Sequence, residues 1–141
     1  MNIRVLIIDD EPEIAEGIRL LIHRFGQDCQ VVGLAYDGAE GYEKALALKP
    51  DIILTDIRMP EQDGLNMIEG LRAAGLKTRF IVMSGFAEFE YAKKAISLGV
   101  QEFITKPVEE NELYQALRRI CGLIREEWVN TEKEQHMKNT M

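Results

Sequence analysis

IRVLIIDDEP, residues 3–12, sets a run of β-branched residues against a run of acids. Ile3–Ile8 is short and nearly all apolar, the pattern of a strand covered on both faces. Pro12 then stands where a first helical turn tolerates proline, and Ile14, Ile18, Leu21, Ile22 and Phe25 recur at helical spacing up to Gly26. Working outward, the same unit recurs. Gln30–Ala35 reads as a second strand, and Asp37 caps a helix carrying Tyr42, Ala45, Leu46 and Leu48 that ends at Pro50. Asp51–Thr55 is a third strand, followed by a loop with Pro60 and Gly64 and a helix bearing Leu65, Met67, Ile68 and Leu71. Arg79–Met83 predicts a fourth strand, and Glu88–Leu98 a helix closed by Gly99. Val100–Ile104 gives a short fifth strand. Glu109–Ile124 gives a helix with Leu113, Leu117, Ile120 and Ile124 in register.

Strict strand–helix alternation argues for a parallel sheet with helices on both faces. Right-handed crossovers make all the strands point one way, so their C-terminal ends share one edge, where doubly wound folds bind ligands. Beyond Ile124, Arg125–Met141 is polar, with Trp128 and Val129 as bulky interruptions. The division expected is a domain over residues 1–124 and a polar helical extension or linker over 125–141.

The chain of 141 residues, 46% hydrophobic and 29% charged, has the composition of one folded domain. No apolar run approaches a membrane span, and Asp9, Asp10 and Glu11 interrupt any signal-peptide core. A net charge of -7 argues against direct nucleic-acid binding, which needs clustered Lys and Arg. Cys29 and Cys121 are too far apart in sequence for a metal-spaced pair, and a disulfide, though open to them, is not expected without export. These features predict a cytoplasmic protein. His23, among apolar neighbours, reads as a partly buried packing residue, and His136 as a tail residue with no partner.

The chemistry gathers at the strand ends. Strand one ends in Asp9, Asp10 and Glu11, strand three in Asp56, strand four in Ser84 and Gly85, and strand five in Thr105, Lys106 and Pro107. Carboxylates brought together repel, so one takes a proton or the group binds a cation; Mg2+ suits a few carboxylates together with waters and a phosphate oxygen. Helix capping by Glu11 or Asp10 accounts for part of the acidic run, but not for Asp56. Asp56, alone in its loop, is the candidate nucleophile toward a phosphoryl group, giving an acyl phosphate. Lys106 supplies positive charge opposite the metal and Ser84 a hydrogen bond to a phosphoryl oxygen.

VLIIDDEPEI, PDIILTDIRMPEQDGL, FIVMSG and FITKP together resemble the receiver domain of two-component response regulators, over roughly residues 2–124. The resemblance implies a flavodoxin-like, doubly wound α/β fold with five parallel strands in the order 2-1-3-4-5. It implies a sensor histidine kinase as phosphoryl donor and Asp56 as acceptor. Asp10 is then a direct Mg2+ ligand, Asp9 acts through water, and the backbone carbonyl of Arg58 completes the protein ligands. Ser84 and Lys106 match the family's hydroxyl and lysine, Phe103 its switching aromatic, and Lys106–Pro107 a cis bond. In the fold that the resemblance implies, Arg58 and Phe86, two places after Asp56 and Ser84, flank the path of a hydrolytic water and are expected to shield it. Phe103 read by itself is an ordinary core residue of strand five. The stretch from Ser84 to Leu113 also resembles receivers that precede AraC-type helix-turn-helix domains. No such domain is expected after the fifth helix, so the chain reads as a fragment or a stand-alone receiver acting by protein–protein contact. DNA would be reached only through a missing output domain.

Phosphorylation is expected to rearrange the surface of the fourth helix, fifth strand and fifth helix, where Phe86, Phe89 and Tyr91 suggest an output or homodimer contact. Two other classes compete. A flavodoxin-like nucleotide-binding module needs a glycine loop after strand one, where three acids stand. A phosphohydrolase needs a second acid near the nucleophile and a substrate cap, whereas Ile57 and Arg58 follow Asp56. The reading is thus of a phosphoacceptor, not an enzyme turning over free substrate.

Overall fold

The computed structural model describes residues 2–59, 63–85 and 89–140. Phe86, and the side chains of Phe89, Tyr91 and His136, lie outside the described residues. The elements run β1 (Ile3–Ile8), α1 (Pro12–Phe25), β2 (Cys29–Ala35), α2 (Gly38–Leu48) and β3 (Ile52–Asp56). They continue through α3 (Gly64–Ala73), β4 (Arg79–Ser84), α4 (Phe89–Ser97), β5 (Glu102–Thr105) and α5 (Glu110–Thr140). The five strands are parallel in the order β2-β1-β3-β4-β5, a doubly wound, flavodoxin-like sheet.

Two cores form because side chains alternate across each strand. Val5, Ile7, Ile52, Leu54, Ile81 and Met83 face α1 and α5. Leu6, Ile8, Ile53, Phe80 and Val82 face α2, α3 and α4. The central strands are therefore apolar at nearly every position, which is why they read as continuous runs. Each fully buried isoleucine or leucine among them contributes roughly 1.5–3 kcal/mol of transfer free energy. β2 is an edge strand and only half-buried, with a register shift opposite Val5 and Leu6.

The helix ends follow local chemistry. Asp37 caps α2 by accepting from the Glu40 N–H at 2.7 Å, and Glu40 Oε1 accepts from the Tyr36 N–H at 2.8 Å. Asp63 caps α3 by accepting from the Asn66 N–H at 2.8 Å. α1 departs from expectation. Glu11 is its N-cap residue but makes no side-chain cap bond. Instead Asp9 Oδ1 accepts from the Glu11 N–H at 2.9 Å, a local carboxylate turn ahead of the helix.

Two further positions correct the sequence reading. Leu46 is 38% exposed, on the outer side of α2 instead of in the core. His23 is exposed in the last turn of α1, not partly buried. α5 runs on past Ile124 through the polar segment to Thr140, with Trp128 still packed against the α1/α5 core.

Candidate functional site

The loop after β1 leads Asp9 across the sheet edge, where its N–H donates to the Ala35 carbonyl at 3.0 Å. Asp9 is fully buried, whereas Asp10 beside it is partly exposed. Asp56 is the last residue of β3 and only 5% exposed, so it belongs to the strand end and not to an open loop. Its backbone is fixed from both sides. Ile57 N–H donates to the Met83 carbonyl at 3.1 Å, and Gly64 N–H to the Ile57 carbonyl at 2.9 Å.

Lys106 leaves β5 and reaches back over the edge. Its Nζ donates to Asp56 Oδ2 at 2.8 Å and lies 3.1 Å from Asp9 Oδ2. Its own N–H donates to the Ser84 carbonyl at 3.0 Å, joining the ends of β4 and β5. Ser84 is half-buried and in register with Thr105. Phe103, opposite Val82, is half-buried against the cluster under α4. Arg58 is exposed, and the Lys106–Pro107 peptide bond is cis.

Asp9, Asp10 and Asp56 each offer a carboxylate oxygen within 4.8 Å of the others. Facing them, Lys106 is one cation against three carboxylates. Burial pushes the Asp56 carboxyl up to about 6, although the Lys106 hydrogen bond pulls it down and Asp9 and Asp10 add to the rise. For Lys106, burial lowers the ammonium, but its pairs with Asp56 and Asp9 outweigh that and the net direction is upward. Asp9 Oδ2 is buried with no aligned hydrogen-bond donor. A buried carboxylate oxygen that shares one ammonium with Asp56, in an all-oxygen cluster of three acids, fits a hard divalent cation.

Two contributors carry no plain signal in the sequence. A Cβ added to Gly64 would lie 2.4 Å from the Asp56 carbonyl oxygen and 3.1 Å from Ile57 Cα, so the start of α3 packs against the backbone of the acceptor. Glu112 on α5 accepts from the Thr105 N–H at 2.8 Å and its hydroxyl at 3.0 Å, tying the strand end before Lys106 to α5. The Asp63–Gly64 pair at a helix start hints at the first, while nothing in the sequence singles out Glu112.

The model of the response regulator receiver domain matches residues 5–118. This chain belongs to the receiver domain family. The receiver is 36% identical over 138 residues to the "Uncharacterized transcriptional regulatory protein YesN" of Bacillus subtilis, covering 98% of this chain but 38% of that protein. It is 33% identical over 120 residues to the chemotaxis protein CheY of Thermotoga maritima, covering 85% of this chain and 98% of CheY. Its fold matches the receiver domain of AraT, a response regulator from Geobacillus stearothermophilus, with a TM-score of 0.83 and 35% identity. That match covers 91% of this chain and 99% of the AraT domain. Among the described residues, no helix of the receiver is long and apolar enough to cross a membrane.

Proposed function

We propose that residues 1–124 form a switch that takes a phosphoryl group from a sensor histidine kinase onto Asp56. The observation that carries this reading is the Lys106 ammonium on Asp56 Oδ2 and 3.1 Å from the buried Oδ2 of Asp9, a cation set against a cluster of three carboxylates. Lys106 engages Oδ2, leaving Oδ1 as the attacking oxygen. The Oδ1–phosphorus bond forms as the bond from phosphorus to the donor's nitrogen breaks, and Lys106 stands ready for the charge on the phosphoryl oxygens. Asp10 and Asp56, with Asp9 through water and the Arg58 carbonyl, would hold a Mg2+ ion, which supplies further positive charge.

Incubation with a small acyl phosphate tests the reading: one phosphoryl adduct per chain should appear by intact mass, and none in the presence of a chelator. Turnover without an adduct would overturn it. Mg2+ should also stabilise the receiver by preferential binding to the native state, about 1.4 kcal/mol at a tenfold excess over Kd. Asp10→Ala should lose that stabilisation in a thermal melt, and full retention would put the metal elsewhere.

With Asp56 phosphorylated, the Ser84 hydroxyl moves in as a donor, Phe103 turns, and the α4, β5 and α5 surface shifts toward an output or homodimer contact. The output is transcriptional, through an AraC-type DNA-binding domain outside this chain, with residues 125–141 as the polar helical extension or linker toward it. A stand-alone receiver acting by protein contact is the alternative. Hydrogen exchange on that surface should change on phosphorylation. The phosphoryl group is long-lived, because Arg58 and Phe86 restrict the in-line water. The double variant Arg58→Asn, Phe86→Glu should dephosphorylate at least several-fold faster in a timed decay, and an unchanged rate would rule out shielding.

A further inference from the structure

On the far side of the sheet, the chain brings together two cysteines that the phosphoryl site does not use. Cys29 opens β2 and Cys121 lies in α5, and their sulfurs are 3.4 Å apart with both thiols free. Neighbouring contacts hold these elements together. Arg125, one turn beyond Cys121, donates to the Gln27 carbonyl. The Tyr114 hydroxyl donates to the Leu21 carbonyl at 2.8 Å. The two sulfurs differ in access. Cys29 is half-buried and lines a cavity of about 150 Å³ with Arg19, His23, Gln30 and Val31, whereas Cys121 is fully buried behind it.

We infer that Cys29 and Cys121 form a reversible disulfide when the protein meets a peroxide, making this thiol pair a modification site that staples β2 to α5. Peroxide entering the cavity meets Cys29 first. The Cys29 sulfur attacks a peroxide oxygen, and the Cys29 proton passes to the departing oxygen. The S–O bond forms, the O–O bond breaks, and the departing hydroxide leaves as water, giving a sulfenic acid. The Cys121 sulfur then attacks the Cys29 sulfur. The S–S bond forms, the S–O bond breaks, and the hydroxide released takes the Cys121 proton as a second water. Two thiols and one peroxide become one disulfide and two waters, with two electrons passing from sulfur to oxygen. The side-chain hydrogen bond between the sulfurs, with burial, raises the Cys29 thiol and the same contact lowers the Cys121 thiol, so access through the cavity and not acidity makes Cys29 first, and Cys121 is suited to the second step. A disulfide needs its sulfurs about 2.0 Å apart, so the pair must close by little more than an ångström.

The experiment uses the full chain, reduced and chelated, at low micromolar concentration with hydrogen peroxide, followed by iodoacetamide and peptide mapping. Wild type should lose two hydrogens, yield one linked peptide containing Cys29 and Cys121, and take up no alkyl group. Dithiothreitol should restore two alkylatable thiols. Cys121→Ala should accumulate a dimedone-reactive sulfenic acid on Cys29, and Cys29→Ser should slow Cys121 oxidation at least tenfold. Because Cys29 is only half-buried, the serine variant keeps the test open if the alanine variant folds poorly. Two thiols still alkylatable after peroxide, or linkage only between chains, would overturn the inference.

Discussion

Asp56→Asn is expected to remove the phosphoryl adduct completely and, in metal-free buffer at pH 8, to make the folded protein more stable than wild type. The second effect follows from the carboxyl at about 6 against an ordinary 3.8. The native state holds its proton to higher pH than the unfolded chain does. Between about pH 4 and pH 6 the folded protein therefore binds more protons, and wild-type stability falls as pH rises through that window. Above it, the ionised carboxylate costs up to about 3 kcal/mol, from 1.36 kcal/mol per unit. Asparagine avoids that cost but gives up the Lys106 hydrogen bond to a charged acceptor, about 1.5–3 kcal/mol, so the net gain should be at most about 1.5 kcal/mol. Lys106 does not blur the window. Its raised ammonium contributes stability that is fully present below the unfolded lysine value and is lost only as pH rises through the folded one, well above pH 8. Urea melts of both proteins in chelator at pH 4 and pH 8 check the sign. The gain should vanish at pH 4, and a gain independent of pH would remove desolvation of Asp56 as its cause.

Gly64→Ala should be the most damaging single methyl group in the molecule's active edge. The new Cβ would meet backbone, the Asp56 carbonyl oxygen at 2.4 Å and Ile57 Cα at 3.1 Å, and backbone cannot rotate aside as a side chain can. Overpacking of this kind costs about 1–3 kcal/mol, and here the displaced atoms carry the acceptor. Gly122 in α5 is the control, since nothing lies within 4 Å of a Cβ there. Gly122→Ala should stabilise the helix by roughly 0.5–1 kcal/mol through helix propensity. Opposite signs for one chemical change, with slowed Asp56 phosphorylation only for Gly64→Ala, are the expected outcome. Equal effects in denaturant melts would mean that the start of α3 gives way freely.

The sheet was legible because strands buried on both faces leave an unmistakable record: Ile3–Ile8 and Ile52–Leu54 carry apolar residues at almost every position. The strand ends were legible for the same reason, since a charge directly after such a run must lie at the edge. Helix faces were read less well. Leu46 follows the helical spacing yet points outward, because apolarity does not compel burial on a helix that has already covered its sheet. The polar composition after Ile124 suggested an extension or a linker, but an end could not be read from it: a helix needs no apolar face once preceding turns have nucleated it. Gly64, Glu112 and the Cys29–Cys121 contact belong to a third kind. Each depends on two segments meeting in space, and no spacing along one chain records that meeting.

The length of α5 has a mechanical side. Beyond Trp128, which packs on the core, residues 129–140 add 12 residues to the helix, about 18 Å at 1.5 Å per residue. α5 is gripped at its base by Glu112 on Thr105 and by Arg119 on Glu102, both on β5. An arm hinged there multiplies angle into distance. A tilt of 10° beyond Trp128 would sweep Thr140 sideways by about 3 Å, about the width of a water molecule, on the basis of that same helical rise. A displacement too small to notice at the strand ends would thus arrive at the tip as a change of position that another surface could feel.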